Sequence, residues 1–117
     1  MTDNKFHVLL VEDNKHDVRF VKRAWEQNNI TNPLDVVPNG QACLDYLLHQ
    51  GAYADKANHP FPSLILLDIR MPVMDGLTAI EQLGQQYPQI AVIILTTYNE
   101  DEMMLRGLQL GARGYLL

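Results

Sequence analysis

The sequence predicts an α/β domain, a five-stranded parallel sheet with helices wound onto both faces. Short apolar runs rich in β-formers alternate with segments of helical period, the signature of successive βαβ units. The runs are almost continuously apolar, as strands covered on both faces must be. With 117 residues, 47% of them hydrophobic, the chain can bury one core and is too short for two. Residues 1–117 are therefore read as a single domain.

The predicted strands are Phe6 to Val11, Leu34 to Val37, Leu64 to Leu67, Ile90 to Leu95 and Tyr115 to Leu117. The second is the weakest. Between them, apolar residues recur at helical spacing: Val18, Val21, Ala24 and Trp25; Cys43, Leu44, Leu47 and Leu48; Leu77, Ile80 and Leu83; and Met104, Leu105 and Leu108. These predict four helices. Gly40, Gly111 and Gly114 read as turn or helix-end residues, and Trp25 and Met103-Met104 as core packing. Gln50 to Ser63 exceeds the usual connection of about 4 to 6 residues, and its Gly, Asn and two prolines predict a surface loop without regular structure. The order β-α-β-α-β-α-β-α-β stops on a strand. A fifth helix is absent, so part of one sheet face is expected to lie bare unless a longer chain or a partner covers it.

Composition narrows the function. A net charge of −5 argues against this segment gripping a phosphate backbone, because sequence-independent affinity for DNA comes mainly from Lys and Arg. No apolar run approaches the roughly 20 residues of a membrane span, and the N-terminus lacks the layout of a secretory signal. A cytoplasmic protein is expected. Cys43 is the single cysteine, which rules out an internal disulfide and a cysteine-built metal site. His7, His16, His49 and His59 show no i, i+4 pair and no zinc motif.

In an open α/β sheet, reactive groups gather at the carboxyl ends of the strands. Here Glu12-Asp13 ends the first predicted strand, Asp68 the third and Thr96-Thr97 the fourth. Core packing asks for none of these. Carboxylates brought together repel and retain a proton unless a cation neutralises them. Magnesium suits such a set, since it prefers oxygen ligands, keeps several waters and is usually held by one or two carboxylates with phosphate oxygens; Mn2+ takes the same ligands. An aspartate carboxylate can attack phosphorus to form a mixed anhydride. Asp68 stands alone at the end of the most apolar strand and is the expected nucleophile, whereas the adjacent Glu12 and Asp13 are better placed to hold metal.

Four blocks now carry a resemblance: VLLVEDN at 8–14, LILLDIRMPVMDG at 64–76, IILTTYN at 93–99 and GARGYLL at 111–117. In order and spacing they resemble the receiver domains of two-component response regulators, over essentially the whole chain. The resemblance implies a flavodoxin-like doubly wound sheet with strand order 2-1-3-4-5, a (βα)5 fold whose last helix is missing here. It implies phosphorylation of Asp68, direct metal binding by Asp13, help from Glu12 through water, and a further ligand in the backbone carbonyl of Arg70. Thr96 resembles the switch hydroxyl and Tyr115 the aromatic that repacks when the phosphoryl group arrives, altering the surface around the fourth helix and fifth strand. Arg70 and Tyr98 occupy the positions that tune the lifetime of the phosphoryl group, and Pro72 and Gly76 shape the loop after the phosphoacceptor. The family's lysine, expected just after Leu117, has no counterpart within these 117 residues.

The implied partners are a histidine kinase or phosphotransfer protein and, through the face beside Tyr115, a second copy of the chain. The output stays open. The block from Leu95 to Leu117 resembles receivers that precede a DNA-binding domain, and the earlier part resembles stand-alone receivers. Two other classes compete. A receiver-like interaction module would work without phosphorylation. An aspartate-nucleophile phosphatase of the haloacid dehalogenase kind would need a second Asp two residues beyond Asp68, where this sequence has Arg70.

Overall fold

A computed structural model describes residues 6–68, 76–95 and 101–116. The elements follow the alternation in the sequence: β1 (Val8–Val11), α1 (Lys15–Gln27), β2 (Leu34–Val37), α2 (Gly40–Leu48), a single 3-10 turn (Gly51–Tyr53), β3 (Leu64–Asp68), α3 (Gly76–Gln86), β4 (Ala91–Leu95), α4 (Asp101–Leu110) and β5 (Gly114–Leu116). All strand pairs are parallel, in the order β2-β1-β3-β4-β5. This is the doubly wound five-stranded sheet the sequence predicts.

Successive strand residues point to opposite faces, and the two faces are filled differently. Leu9, Val11, Ile65, Leu67, Val92 and Ile94 face a large core closed by Cys43, Leu44 and Leu47 of α2, Ala79, Ile80 and Leu83 of α3, and Leu108 and Leu110 of α4. Val8, Leu10 and Leu66 face a smaller cluster packed by Val18, Val21 and Trp25 of α1. On that second face Leu64, Ile93 and Leu95 are only partly buried. Among the described residues, α1 is the one helix whose side chains pack there.

Trp25 belongs to the core as expected, and its indole N–H also donates to the Asn32 carbonyl at 2.9 Å, tying the end of α1 to the chain entering β2. Strand limits differ slightly from the prediction. Phe6 and His7 precede β1, with Phe6 half exposed, and Ile90 closes a turn onto Tyr87 before β4 begins. Gly114 pairs with Ile93 and belongs to β5, so it is a strand residue and not a turn. Leu117 lies outside the described residues, as do the side chains of Met103 and Met104.

The expectation that Gln50 to Ser63 lacks regular structure is corrected by the 3-10 turn Gly51–Tyr53. His49, in the left-handed region at φ 55°, ends α2 and turns the chain into this segment. The rings of Tyr46, Tyr53 and His59 then meet pairwise, with centroids 5.3 to 5.5 Å apart. The Tyr46 hydroxyl donates to Asp35 Oδ2 at 2.8 Å, and His49 Nε2 pairs with the His59 carbonyl at 2.9 Å. Aromatic contacts and side-chain hydrogen bonds thus supply the order that backbone periodicity does not.

Candidate metal centre

The chain leaves β1 at Val11, and Glu12 continues the ladder by donating its N–H to the Val37 carbonyl at 3.0 Å. Glu12 is thereby held at the carboxyl edge of the sheet. Its Oε2 accepts from the backbone N–H of Asp13 at 3.0 Å and, more weakly, of Asn14 at 3.4 Å. Asn14 caps α1, its Oδ1 accepting from the N–H groups of His16 at 2.8 Å and Asp17 at 3.2 Å. The cap fixes the direction in which α1 leaves the sheet, and so the place of Asp13.

Asp68 is the last residue of β3, one position beyond the pair Val11↔Leu67 and level with Leu95 of β4. Carboxylate oxygens of Glu12, Asp13 and Asp68 all lie within 4.8 Å of one another. Glu12 and Asp68 are buried, at 7% and 8% exposure, whereas Asp13 is exposed. The cluster therefore has a dry floor and a wet side.

Burial and the neighbouring Asp68, through its hydrogen bond and its charge, raise the Glu12 carboxyl to about 8, against the pull of the Asn14 N–H. Burial and a neighbouring carboxylate both favour the neutral form of Glu12. Hard oxygen donors, one of them solvent-facing, fit a small divalent ion that keeps part of its hydration, as Mg2+ and Mn2+ do. An ion binding here competes with protonation of Glu12.

The structure brings together Glu12, Asp13 and Asp68, the three acidic residues singled out from the sequence. Arg70, Pro72, Thr96 and Tyr98 lie outside the described residues. Gly76 opens α3, and Tyr115 occupies the centre of β5 in register with Ile94. Two contributors were missed in the sequence. Asn14 as a cap was legible, since an Asn directly before a helical pattern is a start signal. Asp17, in the first turn of α1, adds its negative charge to those raising Glu12.

Comparison with known proteins places the chain in a family. The family model for the response regulator receiver domain matches residues 8–117. The transcriptional regulatory protein YdfI of Bacillus subtilis is 54% identical over 110 residues, which cover 94% of this chain and 46% of that protein. The chain thus spans about half the length of YdfI. Among solved structures, the Mn(2+)-bound form of response regulator Rcp1 superimposes with a TM-score of 0.82 at 33% identity, covering 95% of this chain and 79% of that one. The phosphorylated cyanobacterial phytochrome response regulator RcpA gives a TM-score of 0.83 at 27% identity, covering 96% and 79%. The chain belongs to the response regulator receiver domain family. It is a regulatory domain of two-component signalling. No helix among the described residues is long and apolar enough to cross a membrane.

Proposed function

We propose that Asp68 accepts a phosphoryl group from the phosphohistidine of a histidine kinase or phosphotransfer protein, and that the domain passes this state to an output through the surface of α4 and β5. The observation that carries the reading is the buried Glu12–Asp68 pair, with Asp13 beside it, at the carboxyl edge of the sheet. An Asp68 oxygen forms the new bond to phosphorus as the P–N bond to the donor imidazole breaks, and the imidazole leaves with the bonding electron pair and takes up a proton. Glu12, Asp13 and Asp68, with the Arg70 carbonyl, would hold Mg2+ or Mn2+, which when bound screens the carboxylates from the incoming phosphate oxygens. Asp13 would bind the ion directly and Glu12 would act through water.

The aspartyl phosphate adds roughly −1.5 to −2 charge and three acceptor oxygens. Thr96 reaches for one of them, and Tyr115 repacks in consequence. Arg70 and Tyr98 set the lifetime of the adduct by governing access of water, while Pro72 and Gly76 hold the intervening loop in shape. The domain is read as cytoplasmic. It contacts a kinase and a second copy of itself, and any binding to DNA belongs to another domain, in keeping with its acidic charge and with the transcriptional role named for YdfI.

Incubation with Mg2+ and acetyl phosphate tests the reading. Intact-mass measurement is expected to show addition of one phosphoryl group, absent in Asp68→Asn and without excess divalent ion. A chain that stays unmodified with both acetyl phosphate and a phosphorylated kinase would overturn it.

A further inference from the structure

Asn39 is the one asparagine in the sequence followed by a glycine. Glycine has no β-carbon to obstruct its own nitrogen, and its backbone turns freely, so such a pair carries a latent reaction. Hydroxide removes the Gly40 amide proton, and the nitrogen bonds to Asn39 Cγ. The side-chain nitrogen leaves with the electron pair of the broken C–N bond, collects a proton from water and departs as ammonia. Water then opens the resulting succinimide at either carbonyl, leaving aspartate or, with the main chain rerouted through Cγ, isoaspartate.

The fold holds the pair off this path. Asn39 caps α2 with φ −161° and ψ 176°, its Oδ1 accepting from the Ala42 N–H at 2.8 Å and its carbonyl from the Cys43 N–H at 3.0 Å. Gly40 is buried as the first residue of the helix. A five-membered ring needs the Gly40 nitrogen eclipsed with Asn39 Cβ about the Cα–C bond, and at ψ 176° the two are staggered. Turning that bond draws Gly40 out of the first turn and parts Oδ1 from the Ala42 N–H.

We propose that Asn39–Gly40 is a spontaneous deamidation site whose rate is set by opening of the first turn of α2. The two products differ in what they do to the helix. Aspartate keeps an acceptor at the cap and suits the positive end of the helix dipole, whereas isoaspartate adds a carbon to the main chain and displaces the cap. The new charge lands on the edge that carries the acidic cluster, since the Glu12 N–H donates to the Val37 carbonyl two residues before Asn39.

Ageing the full chain at mildly alkaline pH, folded and in guanidinium chloride, tests the site by peptide mapping with mass spectrometry. Asn39 is expected to convert ahead of Asn28, Asn29 and Asn58, and more slowly in the folded chain than in the denatured one. That slowing should match the hydrogen-exchange protection of the Ala42 N–H, because one opening frees both. Leu47→Ala, which thins the core packing of α2, should speed conversion and Ala42 exchange by the same factor. Asn39→Asp should melt as the parent does, and the isoaspartate fraction lower than both. Conversion no faster than at the other three asparagines overturns the site. Equal rates in the folded and denatured chains, or slowing far beyond the Ala42 protection, overturn the gate, and a melting temperature lowered as much by Asn39→Asp as by isoaspartate overturns the difference between products.

Discussion

Single residues in this molecule are tuned mainly by burial. Burial and the nearness of Asp68 raise the Glu12 carboxyl, and an ion that binds the folded cluster alone favours the fold, so Mg2+ or Mn2+ should raise the melting temperature, with a gain of about 2.7 kcal/mol at a hundred times the dissociation constant. In Asp13→Asn most of that gain is expected to vanish, which a thermal melt with and without the ion will read. Tyr46, almost fully buried, donates to Asp35, and burial first, then that hydrogen bond and the Asp35 charge, push its hydroxyl up from the ordinary tyrosine range. A folded value above the unfolded one means that the contribution is whole below about pH 10 and lost as pH rises beyond it. Tyr46→Phe should therefore cost about 1.5 to 3 kcal/mol at neutral pH and show a flatter loss of stability in alkaline denaturation curves. Burial also pushes the Cys43 thiol up to about 12. A thiol reagent should label it about a hundredfold or more slower in the native protein than in denaturant, because reaction waits on opening.

Elements were legible wherever one physical signal dominated. The run at Leu64 to Leu67 became β3 because apolar β-formers bounded by turn residues have few alternatives, and the strand gained only Asp68. The segment from Gln50 to Ser63 was illegible for the opposite reason. Its order comes from Tyr46, Tyr53 and His59 meeting across gaps in sequence that no local pattern encodes. Replacing His59 with Ala removes two edge-to-face ring contacts, each worth about 0.5 to 1.5 kcal/mol. Hydrogen exchange across residues 50–63 should then rise, while phosphoryl uptake at Asp68 stays as in the parent. Equal protection in both proteins would show that the His59 ring does not order the segment.

Across the whole molecule, the order 2-1-3-4-5 followed from resemblance and not from periodicity, which carries no information about which strands are neighbours. The convergence of Glu12, Asp13 and Asp68 was legible because strand ends in such a sheet share one edge. That Glu12 is the carboxyl pushed up was not, since it depends on burial and on distances of a few ångströms. The two faces should also differ in energy. Leu9→Ala, under three helices, is expected to cost about 2 to 5 kcal/mol in urea unfolding, and Ile93→Ala, on the partly exposed face, distinctly less. Finally, the long connection with its ring cluster enters β3 at the amino-terminal rim, opposite the acidic edge. Within it Asp55, Lys56, Ala57 and Asn58 are all exposed. A reporter protein spliced between Lys56 and Ala57 would hang from the far pole of the domain, free to signal its whereabouts in a cell without obstructing the chemistry at the other.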